Sequence, residues 1–302
     1  MPRLPRWALP VLLAAGCFAI VAGVAAYRAR STSPPALLAR LPQDGAVVVS
    51  IDFGALRKAG LLGIFATSKV AQDPEYRAFV EQTAFDYIND LDSALISFHS
   101  SGTYLVLRGR FDWKAVEEYA ERQGGQCHNT FCLGLAGSAP DRKISFFPLR
   151  RDVMGLAVSE DEYAAGALQT ARPPSADPMP SGAIWCRVPL SQIRNRAGLP
   201  PAATAFAAAL EGADSVLIAA APSGKRIALR LDAACASPAA ASALVTRLRD
   251  LTAHLRDGAV TPDPKSLGGV LSAGAFERKE SHAIGRWPIE REFLESLAGG
   301  AF

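Results

Sequence analysis

At 302 residues, 49% hydrophobic and 20% charged, the chain has room for two globular domains once a membrane segment is set aside. Lys and Arg number 32 against 29 Asp and Glu, and Arg3, Arg6, Arg28 and Arg30 among them flank one hydrophobic stretch. The remainder is close to neutral and has no basic stripe to neutralise a run of phosphates, which excludes nucleic-acid binding.

Between Arg6 and Arg28 run 21 uncharged residues, Trp7 to Tyr27. As a helix they span about 32 Å at 1.5 Å per residue, the thickness of a hydrocarbon core of about 30 Å. Trp7 and Tyr27 stand where amphipathic rings prefer the interface, with arginines just beyond. Residues 1–27 therefore read as a signal anchor that leaves the N-terminus inside. The rest is then periplasmic, at a bacterial inner membrane. Two alternatives stay open: cleavage after Val24-Ala25-Ala26, giving a secreted protein, and lipid anchoring at Cys17, because Leu13-Ala14-Ala15-Gly16-Cys17 resembles a bacterial lipobox. Ala15, Ala19 and Gly23 form a small-residue line of the kind that lets two such helices pack as a homodimer, and an alanine-rich segment gives the same line by composition alone.

After the anchor, residues 28–38 read as a tether stiffened by Pro34 and Pro35. The first half, 39–170, opens with a strand over Ala46–Ile51. A helix over Pro74–Ile88 places Tyr76, Phe79, Val80, Ala84 and Tyr87 on one face. A hairpin follows, then a helix over Trp113–Gln123 with Asp112 as its N-cap and Gly124 at its stop. Strands over Lys143–Pro148 and Asp152–Val158 lead to a helix over Glu160–Thr170, opened by a capping box of Ser159 and Glu162. Residues 171–182 carry four prolines and read as a linker. The second half, 183–302, repeats the order. A strand over Ala183–Val188 is followed by a helix over Ala202–Leu210, a hairpin, and a helix over Pro238–Arg256 capped by Ser237 and lined by Leu244, Leu248, Leu251 and Leu255. Strands over Gly269–Phe276 and His282–Trp287 and a helix over Ile289–Ala298 close it.

The two hairpins echo each other. Asp92–Arg108 aligns without a gap onto Asp214–Arg230 with eight of seventeen positions identical. Turns fall at Ser100-Ser101-Gly102 and Pro222-Ser223-Gly224, where glycine supplies the positive φ of a tight hairpin. The expected fold is α+β, built from two tandem duplicated units, each a mainly antiparallel sheet covered by helices.

Chemistry-bearing residues are sparse. Cys127 and Cys132 are spaced for a disulfide if the four residues between them turn, and an oxidising periplasm favours the bond. Free thiols, or a site using His128, are the alternatives. Cys186 and Cys235 lie in strand patterns as small buried hydrophobes. Asp90 and Asp92 lack the remaining ligands of a calcium loop. The recurring pairs Asp92 with Asp214 and Arg108 with Arg230 are strand-end residues, although an arginine in such a place can hold a carboxylate bidentately. No glycine-rich phosphate loop, GxSxG elbow, HExxH helix or CxxC pair occurs. No catalytic residue, cofactor or metal is therefore assigned.

LPQDGAVVVSIDFGALRKAG, Leu41 to Gly60, behind an anchor, and FPLRRDVMGLAVS, Phe147 to Ser159, resemble stretches of uncharacterised membrane-anchored bacterial envelope proteins of a domain-of-unknown-function type. That resemblance implies no activity. The functional expectation is an envelope module that binds or scaffolds a protein partner. Its alternative is a periplasmic hydrolase with a dispersed active site between the repeats.

Overall fold

In the computed structural model the described residues are 33–65, 74–135, 142–173, 179–194, 201–223, 226–257, 266–290 and 292–293. Alternating apolar and polar runs form the strands β1 (Val47–Asp52), β2 (Leu91–His99), β3 (Gly102–Gly109), β4 (Gln126–His128), β5 (Phe131–Leu135), β6 (Lys143–Arg150) and β7 (Val153–Ser159) of the first half. In the second half come β8 (Ile184–Pro189), β9 (Ser215–Ser223), β10 (Arg226–Ala234), β11 (Ala275–Lys279) and β12 (His282–Ile289). The helices are α1 (Pro34–Leu38), α2 (Phe53–Lys58), α3 (Pro74–Thr83), α4 (Trp113–Arg122), α5 (Pro201–Ala209), α6 (Pro238–Asp257) and α7 (Leu267–Ser272), with shorter turns of helix between.

The expected α+β class with antiparallel strands is what the chain adopts, but the two expected sheets are one. All twelve strands join in the order β11-β12-β10-β9-β8-β1-β2-β3-β7-β6-β5-β4, and every neighbouring pair is antiparallel. The halves meet where Val48–Ile51 of β1 pairs with Ile184–Arg187 of β8, and the Asp52 N–H donates to Ala183 O at 2.7 Å. The reason is elementary. The first strand of each half has an open edge of unpaired N–H and C=O groups, and pairing the two satisfies both. Outward from that seam the orders correspond: β1, β2, β3, β7, β6 on one side and β8, β9, β10, β12, β11 on the other. The β4–β5 hairpin is the first half's addition.

Strand alternation gives the sheet two faces. One carries α2 and α4 to α7. There α6 buries Ala241, Leu244, Val245, Leu248 and Thr252 at helical spacing, over Ile227, Leu231, Ala233, Ala283 and Trp287. Beneath α4, Val116 meets Cys132, Phe146 and Met154. The opposite face is covered over the first half. Leu37 and Leu38 of α1, Leu41, and Ala164, Ala165 and Leu168 of a 3-10 turn pack there on Val48, Leu95, Val106 and Ala157. Over the second half that face is bare: Arg226, Ala228, Arg230, Ala275, Glu277, Arg286 and Pro288 are all exposed. Ile284 is buried among them, opposite Asp232 of β10 and Glu277 of β11.

Several expected elements differ. Residues 28–32 of the tether lie outside the described residues, and Pro34–Leu38 is a helix with two buried leucines. The helix expected over Pro74–Ile88 stops at Thr83, because Ala84 is left-handed (φ 54) and the Thr83 hydroxyl takes over local bonding, donating to Phe79 O and accepting from Phe85 N. Tyr87–Asp90 is a separate turn capped by Asp86. The Ser159–Glu162 capping box does not form: Ser159 Oγ donates to Ser101 O and Glu162 pairs with Lys143. The segment behind it is a 3-10 turn over Ala164–Leu168. Leu267–Ser272 is helical where a strand from Gly269 was expected, capped by Ser266. Pro222 and Ser223 continue β9 rather than turning. The closing helix over Ile289–Ala298 and the anchor at 7–27 fall largely or wholly outside the described residues. Among the described residues no helix is long and apolar enough to cross a membrane.

Candidate functional site

Register brings three polar side chains into one cross-strand row near the seam. Asp52 of β1 lies opposite Ser93 of β2, and Ser93 lies opposite Arg108 of β3. Each position has a local cause. Asp52 ends β1 and caps α2, its Oδ1 accepting from Ala55 N at 2.7 Å. Ser93 follows a β-bulge at Leu91/Ser93. Arg108 is the penultimate residue of β3, beside the β6–β7 turn, where its Nε stands 3.6 Å from Asp152 Oδ2. That is an ion pair but too long for a hydrogen bond. Arg108 Nε is buried and has no hydrogen-bond partner among the described residues.

The row floors a pocket of about 320 Å³ on the face opposite the helices. Pro34, Pro35 and Leu37 of α1 wall one side. Met179, Pro180 and Gly182, which precede β8, wall another, and Trp185 and Leu95 supply the apolar base. The pocket thus draws on both halves, and its volume is at the small end of ligand sites. A larger hollow of about 470 Å³ lies on the bare half of the same face. Its floor is Ala219, Ala221, Ala228 and Ala275, with Arg230, Arg286 and Pro288 at its sides. Around it Arg230 pairs with Asp232 at 3.1 Å, His282 Nδ1 meets Asp232 at 2.6 Å, and Arg286 meets Glu277 at 2.6 Å. The Arg286 guanidinium holds the Glu277 carboxyl below its ordinary value, chiefly by that hydrogen bond.

The recurring residues separate. Arg108 lines the junction pocket, while Arg230 lies on the bare half. The sequence echo pairs them, yet the second hairpin is displaced in register: Ser97 faces Tyr104 in the first, and the corresponding Ala219 faces Arg230 in the second. Arg230 is therefore the counterpart of Tyr104, and Ala234 that of Arg108. Asp92 is outside the pocket, 4.0 Å from Arg57 of α2. The Asp214 N–H donates to Ala234 O at the entry to β9.

Cys127 and Cys132 form the disulfide, across β4 and β5 with Cα atoms 4.0 Å apart, and stand at the sheet's far end from the pocket. Asn129 and Thr130 between them take the two positive φ values of a tight hairpin turn. Burial pushes the Cys186 and Cys235 thiols up from their ordinary value, as for inert buried cysteines. Among the described residues no three His, Cys, Asp or Glu side chains are grouped as a metal site. At the β2–β3 tip, His99 Nδ1 is 2.8 Å from Ser101 Oγ, and Tyr104 OH is 2.9 Å from the same oxygen. His99 Nδ1 also accepts from the Ser101 N–H, which makes the arrangement a turn lock.

No local sequence pattern brings Asp52, Ser93 and Trp185 to Arg108. Asp52 was legible as a helix cap from its place before FGALRK, and Ser93 belongs to the echoed Asp-Ser pair. The row depends on strand pairing across some forty residues, for which local pattern holds no signal.

No family model matches the chain, and no curated protein matches it. The fold does recur among solved structures. Crystal form IV of TP0453 superposes with a TM-score of 0.51 at 8% identity, covering 86% of this chain and 95% of that one. Crystal form I of TP0453 gives 0.50 at 9% identity, covering 90% and 99%. Identity this low establishes a shared fold and nothing about activity.

Proposed function

We propose that the protein is a single-pass, membrane-anchored module of the bacterial cell envelope, held by residues 7–27 with its folded part in the periplasm, and that it binds or scaffolds a protein partner through the bare half of its sheet. The observation that carries the reading is the asymmetry of that face. Its first half is packed over by α1 and the 3-10 turn, leaving only the junction pocket, whereas the second presents a hollow floored by four alanines and rimmed by charge. Small side chains let another surface approach the backbone closely, and a charged rim around an apolar floor is the anatomy of an interface. The Cys127–Cys132 bond supports an oxidising compartment. The matching strand orders about the seam support origin by duplication, with one copy of the face left open.

A photo-crosslinking residue placed at Ala228 in living cells tests this. Adduct formation at Ala228, and none at Ser242 on the exposed side of α6, is the expected result. Equal labelling at both, or none at either, contradicts it. The alternative, a hydrolase, has one observation in its favour, the Ser101–His99 contact of 2.8 Å, although that pair lies at a hairpin tip outside the cleft. A serine-directed fluorophosphonate that labels Ser101 would favour the alternative.

A further inference from the structure

We infer that the partner seated on the bare half inserts an aspartate or glutamate side chain into the hollow, where Arg230 and Arg286 hold its carboxylate between them. This rests on the partner surface proposed above and names the chemistry that surface recognises.

Register places the two cations together. Arg230 of β10 and Arg286 of β12 are direct cross-strand partners, so their Cβ atoms lie about 5 Å apart on one face, and like charges so placed repel. The row on one side of the pair carries Asp232 and Glu277, which flank Ile284. The row on the other side is Ala221, Ala228 and Pro288, within the hollow. Each guanidinium is held from the acidic row through Nη2 alone, Arg230 to Asp232 at 3.1 Å and Arg286 to Glu277 at 2.6 Å. Nε and Nη1 of both have no partner among the described residues, and both arginines line the hollow. A carboxylate lying over Ala228 and Pro288 puts acid on the second side of the pair and takes a charge-assisted hydrogen bond from each arginine.

Charge balance points the same way. Arg226, Arg230 and Arg286 are each matched by one carboxylate, Arg226 by Glu290 at 2.8 Å. Arg187 of β8, in the row of Asp232, and Lys279 of β11, two residues beyond Glu277, share that face. Neither has an ion pair among the described residues, so cations outnumber carboxylates there. The surplus attracts an acidic partner and disfavours a second copy of the same face, which would set these cations against one another. Alanine on three strands leaves the depth into which the partner's side chain reaches.

The Ala228 photo-crosslink in living cells tests the assignment, because the adduct can be digested and its partner peptide sequenced by mass spectrometry. That peptide should carry an Asp or Glu within about three residues of the linked position, a reach of about 10 Å along extended chain. Arg230→Glu with Arg286→Glu should cut the adduct yield at least about tenfold, since two charge-assisted contacts are lost and repulsion replaces them. Replacing the partner's acidic residue by Lys should then restore the yield. Arg278→Gln, on the other face of β11, should leave it unchanged. An adduct indifferent to the double substitution, or a loss that the partner's Lys does not rescue, overturns the carboxylate contact and leaves the partner surface standing. No adduct at Ala228 removes both. Should the double variant fail to fold, changing the partner's Asp to Asn or Glu to Gln against the unsubstituted protein decides, with a similar loss expected and an unchanged yield overturning the inference.

Discussion

Leu248 has no exposed surface on α6 and rests over β10 and β12 in the largest core. Leu248→Ala therefore removes apolar contacts and leaves a cavity, and should cost about 2–5 kcal/mol in urea unfolding. Tyr76 gives a pH signature instead. Burial, with the Asp86 carboxylate at 3.2 Å adding to it, pushes the phenol up to about 12, against the opposing Tyr87 N–H. In the unfolded chain it ionises near its ordinary value of about 10. The unfolded state thus loses the proton first. The stabilisation is complete below about pH 10 and disappears as pH rises toward 12. The urea midpoint should fall through that window, and fall less in Tyr76→Phe. Caps were legible at this scale wherever the bond is local: Asp112 accepts from Ala115 N, and Ser237 from Ala240 N. Ser159 was not legible, because its hydroxyl is taken by Ser101 O, 58 residues away.

Helices and strands were legible where one face is continuously apolar. The leucine line of α6 marks it from end to end, and the first hairpin stands where alternation and Gly102 place it. Hairpin register was not legible. Gapless identity carries Arg108 onto Arg230, yet β9 extends through Pro222 and Ser223 before the chain reverses. An even displacement keeps every side chain on its face, so alternation alone cannot detect it. At the sheet's two ends, short strands limit edge pairing. β11 carries Glu277, Arg278 and Lys279, and β4 is three residues long and tied to β5 by the disulfide. In the chain-entropy picture a bond closing so short a loop contributes about 2 kcal/mol. Cys127→Ser with Cys132→Ser should lower stability by up to that amount, and hydrogen exchange should quicken in residues 126–135 while β1, β2 and β8 stay protected. Equal loss of protection across the sheet would show that the hairpin is more than an edge addition.

Two halves, a proline-rich break and an internal echo are visible in the chain, but the single sheet is not, since only the pairing of β1 with β8 creates it. That seam is reinforced on both faces. Trp185 of the second half, 2% exposed, packs with Val48 and Leu95 of the first, and Leu56, Leu61 and Leu62 of the first half pack with Ile193 and Phe206 of the second. A protease site inserted between Ala176 and Asp177 and then cut should leave the halves co-eluting in size exclusion, whereas two independent domains would separate. The proposed anchor predicts an intact N-terminus by mass, and a product starting at Tyr27 or acylated at Cys17 would contradict it. The partner surface is the central functional claim, and native mass spectrometry of the protein extracted from membranes tests it most directly. Ala228→Arg should abolish a partner-bearing complex that survives Ala243→Arg on α6. A complex unchanged by Ala228→Arg would contradict the assignment of the bare half as the interface.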